Sequence, residues 1–367
     1  MNSETIIVQP FYNWKGHYKK YTDELELNVP NAFVVIAGVG EDLCGDNNKR
    51  YVVNSKLDSS NLYFTLFRIL NPLLCFIYSL RHMLNVKNII SVEFNPLVFL
   101  LYSLTSLIFK FRYIQIVHNF TPERGNMSKL KVVYLNVNEI LIKLFPRSLV
   151  IVHSKAHYEN LLKCRTSSLY SFYFEYPTDG MKVQPSDISN RWNNKLVFTY
   201  VGLIRKDKDM GLLANFCREI NKNCKKEYVI NIAGYPKDFE KDEIISLFKG
   251  IKNVNFKLEY LSNDEVDALL VNSHYFLLPY NKEHNTTIGP LKMAFSYGLV
   301  CIGSECKMFD IDGAPRGAIL NLMKKGNNNF FELNEPPSID KSIQILRYAE
   351  MLNWDNFSKK IASLLAV

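Results

Sequence analysis

No two cysteines in this chain are spaced as C-x-x-C. The seven present (Cys44, Cys75, Cys164, Cys217, Cys224, Cys301 and Cys306) are scattered and odd in number. Neither a disulfide framework nor a zinc site is expected, and a reducing, cytoplasmic compartment fits such usage. Also lacking is an uninterrupted apolar run of the roughly twenty residues that cross a bilayer. Residues 62–80 come near, but Arg68, Asn71 and Pro72 interrupt them, and Pro96–Phe109 is too short. Both segments read as buried or interfacial helices. The opening MNSETIIVQPFYNW has no basic region followed by a long apolar one, so a signal peptide is not expected. Zinc-finger, RRM and helix-turn-helix patterns are missing, which argues against nucleic acid as a partner. Asp310-Ile-Asp312 comes late and has no second carboxylate cluster; it reads as a structural loop, and no metal is implied.

What is present is enough for two full cores. A chain of 367 residues suggests two domains. At 47% hydrophobic and 22% charged residues, the composition is that of a globular protein. The net charge of +8 is uneven: residues 61–170 hold thirteen Lys/Arg against four Asp/Glu, among many Phe, Tyr and Leu. A basic, aromatic surface suits an anionic partner such as a membrane leaflet or a diphosphate. A merely solvated basic face is the plain alternative.

Short β-rich runs alternate with helix-length segments from end to end. The strand candidates are residues 5–8, 33–37, 88–92, 113–117, 149–152 and 169–174, then 196–201, 228–233, 254–258, 275–278 and 300–303. That rhythm predicts βαβ units and parallel sheets. The polar, turn-rich stretch 177–194 breaks it and reads as a linker. The expected architecture is α/β: two Rossmann-like doubly wound domains facing a central cleft, over residues 1–180 and 190–345. Residues 339–365 read as amphipathic helices, and residues 346–367 are expected to pack back on the N-terminal domain. Open parallel sheets bind ligands beyond the carboxyl ends of their strands.

Two motifs carry chemistry. In Phe198-Thr-Tyr-Val-Gly-Leu-Ile-Arg-Lys-Asp-Lys208 a strand ends at Val201, Gly202 permits a tight turn, and a helix follows from about Asp209. Arg205 and Lys208 then occupy a strand-to-helix loop, where they can neutralise a phosphate beside helix N-terminal amides. Two exposed cations in a polar loop would have the same spacing. In the second motif a buried strand, Phe276-Leu-Leu-Pro-Tyr280, runs into a polar loop and a helix beginning near Thr287–Gly289. That helix ends at Gly298. Thr286, Thr287 and the amides of Ile288 and Gly289 form an N-terminus able to cradle an anion, or an ordinary capped crossover.

The order of these motifs, with I-A-G-Y at Ile232–Tyr235 and Leu261-Ser-Asn-Asp-Glu265 between them, resembles the nucleotide-sugar domain of family 4 glycosyltransferases of the GT-B fold. The likeness is strongest to members that build bacterial surface polysaccharides. Lys15-Gly-His-Tyr, Val117-His-Asn and Val152-His-Ser-Lys resemble the matching acceptor domain. The resemblance implies transfer of a sugar from a UDP- or GDP-sugar to a glycan acceptor carried on a polyprenyl diphosphate at the inner leaflet. It implies retention of configuration, no metal and no cofactor beyond the donor itself. Arg205 and Lys208 match the pair that holds the donor pyrophosphate. Gly16 matches a first-loop glycine, His118 a histidine near the transferred sugar, and Thr287, Ile288 and Gly289 the loop that touches sugar and phosphate. Many relatives have two glutamates eight residues apart at the last motif. Here Asn285 and Met293 stand in those places and Glu283 is out of register.

The other histidines have plainer readings. His153 precedes Ser154, an N-cap for residues 155–162, and reads as structural or supporting. His17 and His284 lie in loops. A nucleotide-sugar epimerase on the same architecture, or a non-catalytic partner subunit, would share most of these features.

Overall fold

The computed structural model describes residues 4–11, 18–38, 50–54, 64–118, 129–165, 167–191, 195–280, 289–323 and 333–366. The chain forms two compact units: Met1–Glu175 together with Trp354–Val367, and Tyr176–Asn353.

In the first unit seven strands are β1 (Thr5–Gln9), β2 (Ala32–Gly38), β3 (Arg50–Asn54), β4 (Asn88–Ser91), β5 (Arg112–Val117), β6 (Leu149–Val152) and β7 (Ser171–Tyr173). They form a parallel sheet in the order β3-β2-β1-β4-β5-β6-β7. The central strands are apolar on both faces, as a sheet covered on both sides requires. One face takes α2 (Phe64–Leu80), α3 (Pro96–Phe109), α4 (Lys129–Leu144) and α5 (Lys155–Cys164), whose inner residues Phe76, Phe99, Ile142 and Leu161 join one core with the strands. Elsewhere α1 (Tyr18–Asn28) packs on α12 (Trp354–Ala366), where Trp354, Phe357 and Ile361 are buried. Asn95 caps α3 by accepting from the Leu97 and Val98 amides, Pro96 opens it, and Lys110 closes it in the left-handed region at φ 60°.

The second unit has β8 (Leu196–Val201), β9 (Tyr228–Ala233), β10 (Val254–Lys257), β11 (Tyr275–Leu278), β12 (Val300–Gly303) and β13 (Ile319–Leu320). All pair in parallel, in the order β10-β9-β8-β11-β12-β13. Its helices are α6 (Pro185–Asn190), α7 (Met210–Asn223), α8 (Lys241–Leu247), α9 (Asn263–Val271), α10 (Gly289–Ser296) and α11 (Ile339–Met351). Both sheets reverse their strand order beside their first strand, as doubly wound sheets do. The α/β, doubly wound architecture expected from the sequence is the one observed.

All eleven predicted strands exist. Two more do not announce themselves: β3, an edge strand held by Arg50 pairing with Asp23 at 2.7 Å and with Glu26, and β13, two residues long. The stretch 177–194 is more than a linker. Gln184 and Asp187 form a reciprocal cap on α6, and the Thr178 amide donates to Leu352 O at 2.9 Å.

Candidate functional site

The loop after β8 is fixed along its whole length by backbone hydrogen bonds. The Gly202 amide donates to Ala233 O (3.1 Å), Ile204 to Tyr235 O (3.0 Å) and Lys237 back to Ile204 O (2.9 Å), so the loop runs beside the segment that follows β9. On its other side Asp209 donates to Pro279 O at 2.7 Å, and Lys208 bridges Tyr280 in antiparallel fashion. Two glycines make the close approach possible. Gly202 and Gly234 have φ of +151° and +132°, and a Cβ on Gly234 would stand 1.9 Å from the Gly202 carbonyl oxygen. Asp209 then caps α7 by accepting from Leu212 N at 2.8 Å.

The side chains of this loop gather at one place. Lys208 is buried, with Nζ 3.2 Å from the centroid of the Tyr280 ring and 3.9 Å from Asp207 Oδ2. Such a cation–π contact strengthens as it is desolvated. Arg205 Nη2 donates to the same Asp207 oxygen at 2.7 Å; its side chain is 43% exposed, although Nε is buried and lacks a hydrogen-bond partner. One carboxylate thus serves two cations. Burial, with Tyr200 and Asp207 near by, pushes the Tyr280 hydroxyl far above its usual range, so it stays protonated.

Above these residues lies a pocket of about 240 Å³. It is lined by Tyr200, Val201, Gly202 and Leu203, by Arg205 and Lys208, by Leu277, Leu278 and Tyr280, and by Gly289 and Pro290. It therefore sits beyond the carboxyl ends of β8 and β11, the neighbouring strands where the sheet order reverses. The first turn of α10 forms part of its wall. Two cations in a crevice at a strand-order reversal are the elements of an anion site.

Of the residues singled out from sequence, Gly202, Arg205, Lys208 and Gly289 line this pocket together. Gly16, Thr287 and Ile288 lie outside the described residues, as do His17, Glu283, His284 and Asn285. His118 belongs to the first unit, at the end of β5. It is buried, with Nε2 3.1 Å from Val92 O, its ring stacked on His153 (5.1 Å) and edge-on to Tyr21 (5.0 Å). Because a carbonyl only accepts, the His118 proton is on Nε2. His153 is set the other way: Nδ1 donates to Phe174 O at 2.9 Å, and Nε2 accepts from the Tyr21 hydroxyl at 3.0 Å. Ser154 caps α5 through the His157 amide, as the sequence suggests. Met293 is half-buried in α10.

Sequence reasoning assigned no role to Asp207, Tyr280 or Gly234, although all three lie inside the motifs. Asp207-Lys208-Asp209 is itself a D-x-D following an apolar strand. Here Asp207 pairs with the two cations and Asp209 caps a helix. Asp312 offers its carbonyl to the Tyr348 hydroxyl at 2.7 Å. Among the described residues no cluster of three or more His, Cys, Asp or Glu is placed to hold a metal ion.

No family model and no curated protein matches the chain. Solved structures do, over nearly their full lengths. Alr3699/HepE of Anabaena, solved with UDP and glucose, is 15% identical with a TM-score of 0.67, covering 99% of each chain. Sucrose-phosphate synthase of Thermosynechococcus elongatus is 12% identical with a TM-score of 0.71, covering 99% of this chain and 98% of that one. The lipopolysaccharide outer core galactosyltransferase WaaB, solved without ligand, is 15% identical with a TM-score of 0.62, covering 98% of this chain and 99% of that one. At such identities the likeness is one of fold: two doubly wound domains, as in the GT-B fold.

Proposed function

We propose that this chain is a glycosyltransferase. It takes a sugar from a UDP- or GDP-linked donor and passes it to a glycan acceptor, carried on a polyprenyl diphosphate at the inner face of a membrane, in surface polysaccharide synthesis. The observation that carries this reading is the convergence of Arg205, Lys208 and the first turn of α10 on one pocket, where β8 and β11 part. That HepE of the same fold was solved with UDP and glucose agrees with it.

The chemistry follows from where charge develops. As the acceptor oxygen bonds to the anomeric carbon, the bond from that carbon to the donor diphosphate breaks. Negative charge grows on the departing phosphate oxygen, which also takes the acceptor's proton. Arg205 and Lys208 stabilise that charge more in the transition state than in the ground state, which is what lowers a barrier. Two cations serve where other transferases use a divalent metal, so the reading includes metal independence; retention of configuration is included separately, on the resemblance to family 4. Gly16, Thr287, Ile288 and Gly289 are assigned to the donor, and His118 to the transferred sugar. The first unit takes the acceptor.

The test is a panel of UDP- and GDP-sugars scored by thermal melting, followed by product analysis with lipid-linked glycans. A donor that binds only the folded chain raises the melting temperature by an amount that grows with the logarithm of its affinity. Stabilisation by one donor class, then release of nucleoside diphosphate with a new glycoside, is expected. Isomerised donor sugar without any acceptor would point to an epimerase instead, and no stabilisation by any donor would remove the proposal.

A further inference from the structure

Asp207 stands behind the two cations of the pocket, not in its wall. Arg205 and Lys208 line the pocket; Asp207, with a side chain only 10% exposed, does not. Its Oδ2 accepts from Arg205 Nη2 at 2.7 Å and lies 3.9 Å from Lys208 Nζ. The backbone holds it there. The Lys206 amide donates to Asp238 Oδ2 at 3.0 Å, the Lys208 amide to Arg205 O at 2.9 Å and the Asp209 amide to Pro279 O at 2.7 Å, so the residues on either side of Asp207 are pinned. The neighbouring acids are engaged elsewhere: Asp238 with that Lys206 amide, and Asp209 with the Leu212 amide. Of these three acids, Asp207 is the one whose charge bears on the pocket. Burial and, after it, the Asp207 charge push the Tyr200 hydroxyl above its usual range, and Tyr200 is part of the pocket wall.

A carboxylate in this place works against binding. Two cations and one anion leave a net charge of about one, so Asp207 cancels about half of what the pair would offer a diphosphate. On the reading proposed above, the pocket holds two anions in turn. Both phosphates of the donor are esterified, and each carries one negative charge. After transfer the terminal phosphate is free of the sugar. It ionises with a pKa of about 6 and so carries roughly one charge more at neutral pH. Two unopposed cations would therefore hold the spent nucleoside diphosphate more tightly than fresh donor. Opposition from Asp207 grows with the charge of the ligand, so it weakens the product more than the donor.

We propose that Asp207 sets the release of the spent nucleotide. It is a positioning residue, acting through Arg205 and Lys208 without touching the ligand: it aims the Arg205 guanidinium and subtracts one charge from the pair. The inference rests on the nucleotide-sugar reading, and it names the residue that keeps product from occupying the site.

The experiment compares the full chain with Asp207→Asn, which keeps the shape and an acceptor oxygen for Arg205 but loses the charge, and with Asp207→Glu, which keeps the charge. Calorimetric titration reads three affinities: for the nucleotide-sugar that stabilises the parent, for its nucleoside diphosphate and for inorganic pyrophosphate. Asp207→Asn should tighten the donor about tenfold and the nucleoside diphosphate about thirtyfold, because the logarithm of the gain follows ligand charge. In steady state the inhibition constant of the nucleoside diphosphate should fall further than the KM for donor. Asp207→Glu should return both affinities towards those of the parent. Should the amide variant fail to fold, Asp207→Ser, equally uncharged and smaller, makes the same measurement. Weaker binding of both nucleotides, or an equal gain for both, would overturn the proposal, leaving Asp207 a structural support of Arg205 and the transferase reading intact. Pyrophosphate binding without binding of any nucleotide would reject the transferase reading, and the proposal with it.

Discussion

Lys208 and Arg205 share one counter-ion but differ in setting. Lys208 is enclosed on the Tyr280 ring, whereas the Arg205 side chain is partly exposed. A diphosphate entering the pocket therefore meets a fixed point charge and an adaptable planar one. Removing either donor of positive charge should lower turnover about 10²-fold at saturating donor, with the fold intact by circular dichroism. Near-normal turnover in both Arg205→Ala and Lys208→Ala would disprove the assignment. Glycine positions separate architecture from binding in the same loop. Gly234→Ala drives a methyl group into the Gly202 carbonyl at positive φ, and should destabilise the second unit by about 3 kcal/mol or more in denaturant melts. Gly289, by contrast, has no described atom within 4 Å of where a Cβ would sit.

At the scale of elements, β8 and β11 are tied at both ends. Their carboxyl ends carry the pocket; at their amino ends the Val197 amide donates to His274 Nδ1 at 3.1 Å, while the His274 amide donates to Val197 O at 3.0 Å. His274 must be neutral to accept on Nδ1. Burial, with the Arg191 and Lys226 charges adding to it against a backbone hydrogen bond at Arg191, lowers its pKa from 6.5 to about 4. Between those values the unfolded chain binds a proton that the folded chain refuses. The contribution is whole above pH 6.5 and is lost as pH falls towards about 4. Melting temperature should fall across that window, and His274→Gln should flatten the fall; an unchanged slope would contradict this account.

The same two strands mark what the sequence discloses. Apolar runs bounded by turn residues made β8 and β11 readable; Arg205 and Lys208 followed from the strand-to-helix loop after β8, and Gly289 from the helix start after the loop that follows β11. Tyr280 was not readable as the platform of Lys208, because that approach closes across 72 positions of chain and has no spacing rule; Asp207 stands within two residues of both its cations, but spacing does not fix which way its carboxylate turns. β3 and β13 escaped for a different reason: edge strands of five and two residues bear too little periodicity to rise above the surrounding loops.

At the scale of the whole molecule, the chain leaves the first unit after Glu175 and returns to it at Trp354. Just inside the second unit the two connections lie side by side. Thr178 bridges Asn353, its hydroxyl donates to Ala349 O at 2.5 Å, and the Met181 amide donates to Glu350 Oε2 at 2.9 Å. The returning segment, α12, then completes the core around Tyr21. Trp354 and Phe357 stand edge-on to that ring at 5.1 and 5.3 Å, and Arg112 donates to the carbonyls of Leu364 and Leu365 at the far end. The last turns of the sequence therefore belong to the packing of its first helix. Phe357→Ala should cost the first unit about 3 kcal/mol or more, since a buried aromatic is lost from a site that α1, Phe174 and His153 hold open. In calorimetry one unit should melt earlier while the other keeps its transition and, with it, stabilisation by a nucleotide-sugar. A variant that lowered both transitions equally would show that the two units unfold as one.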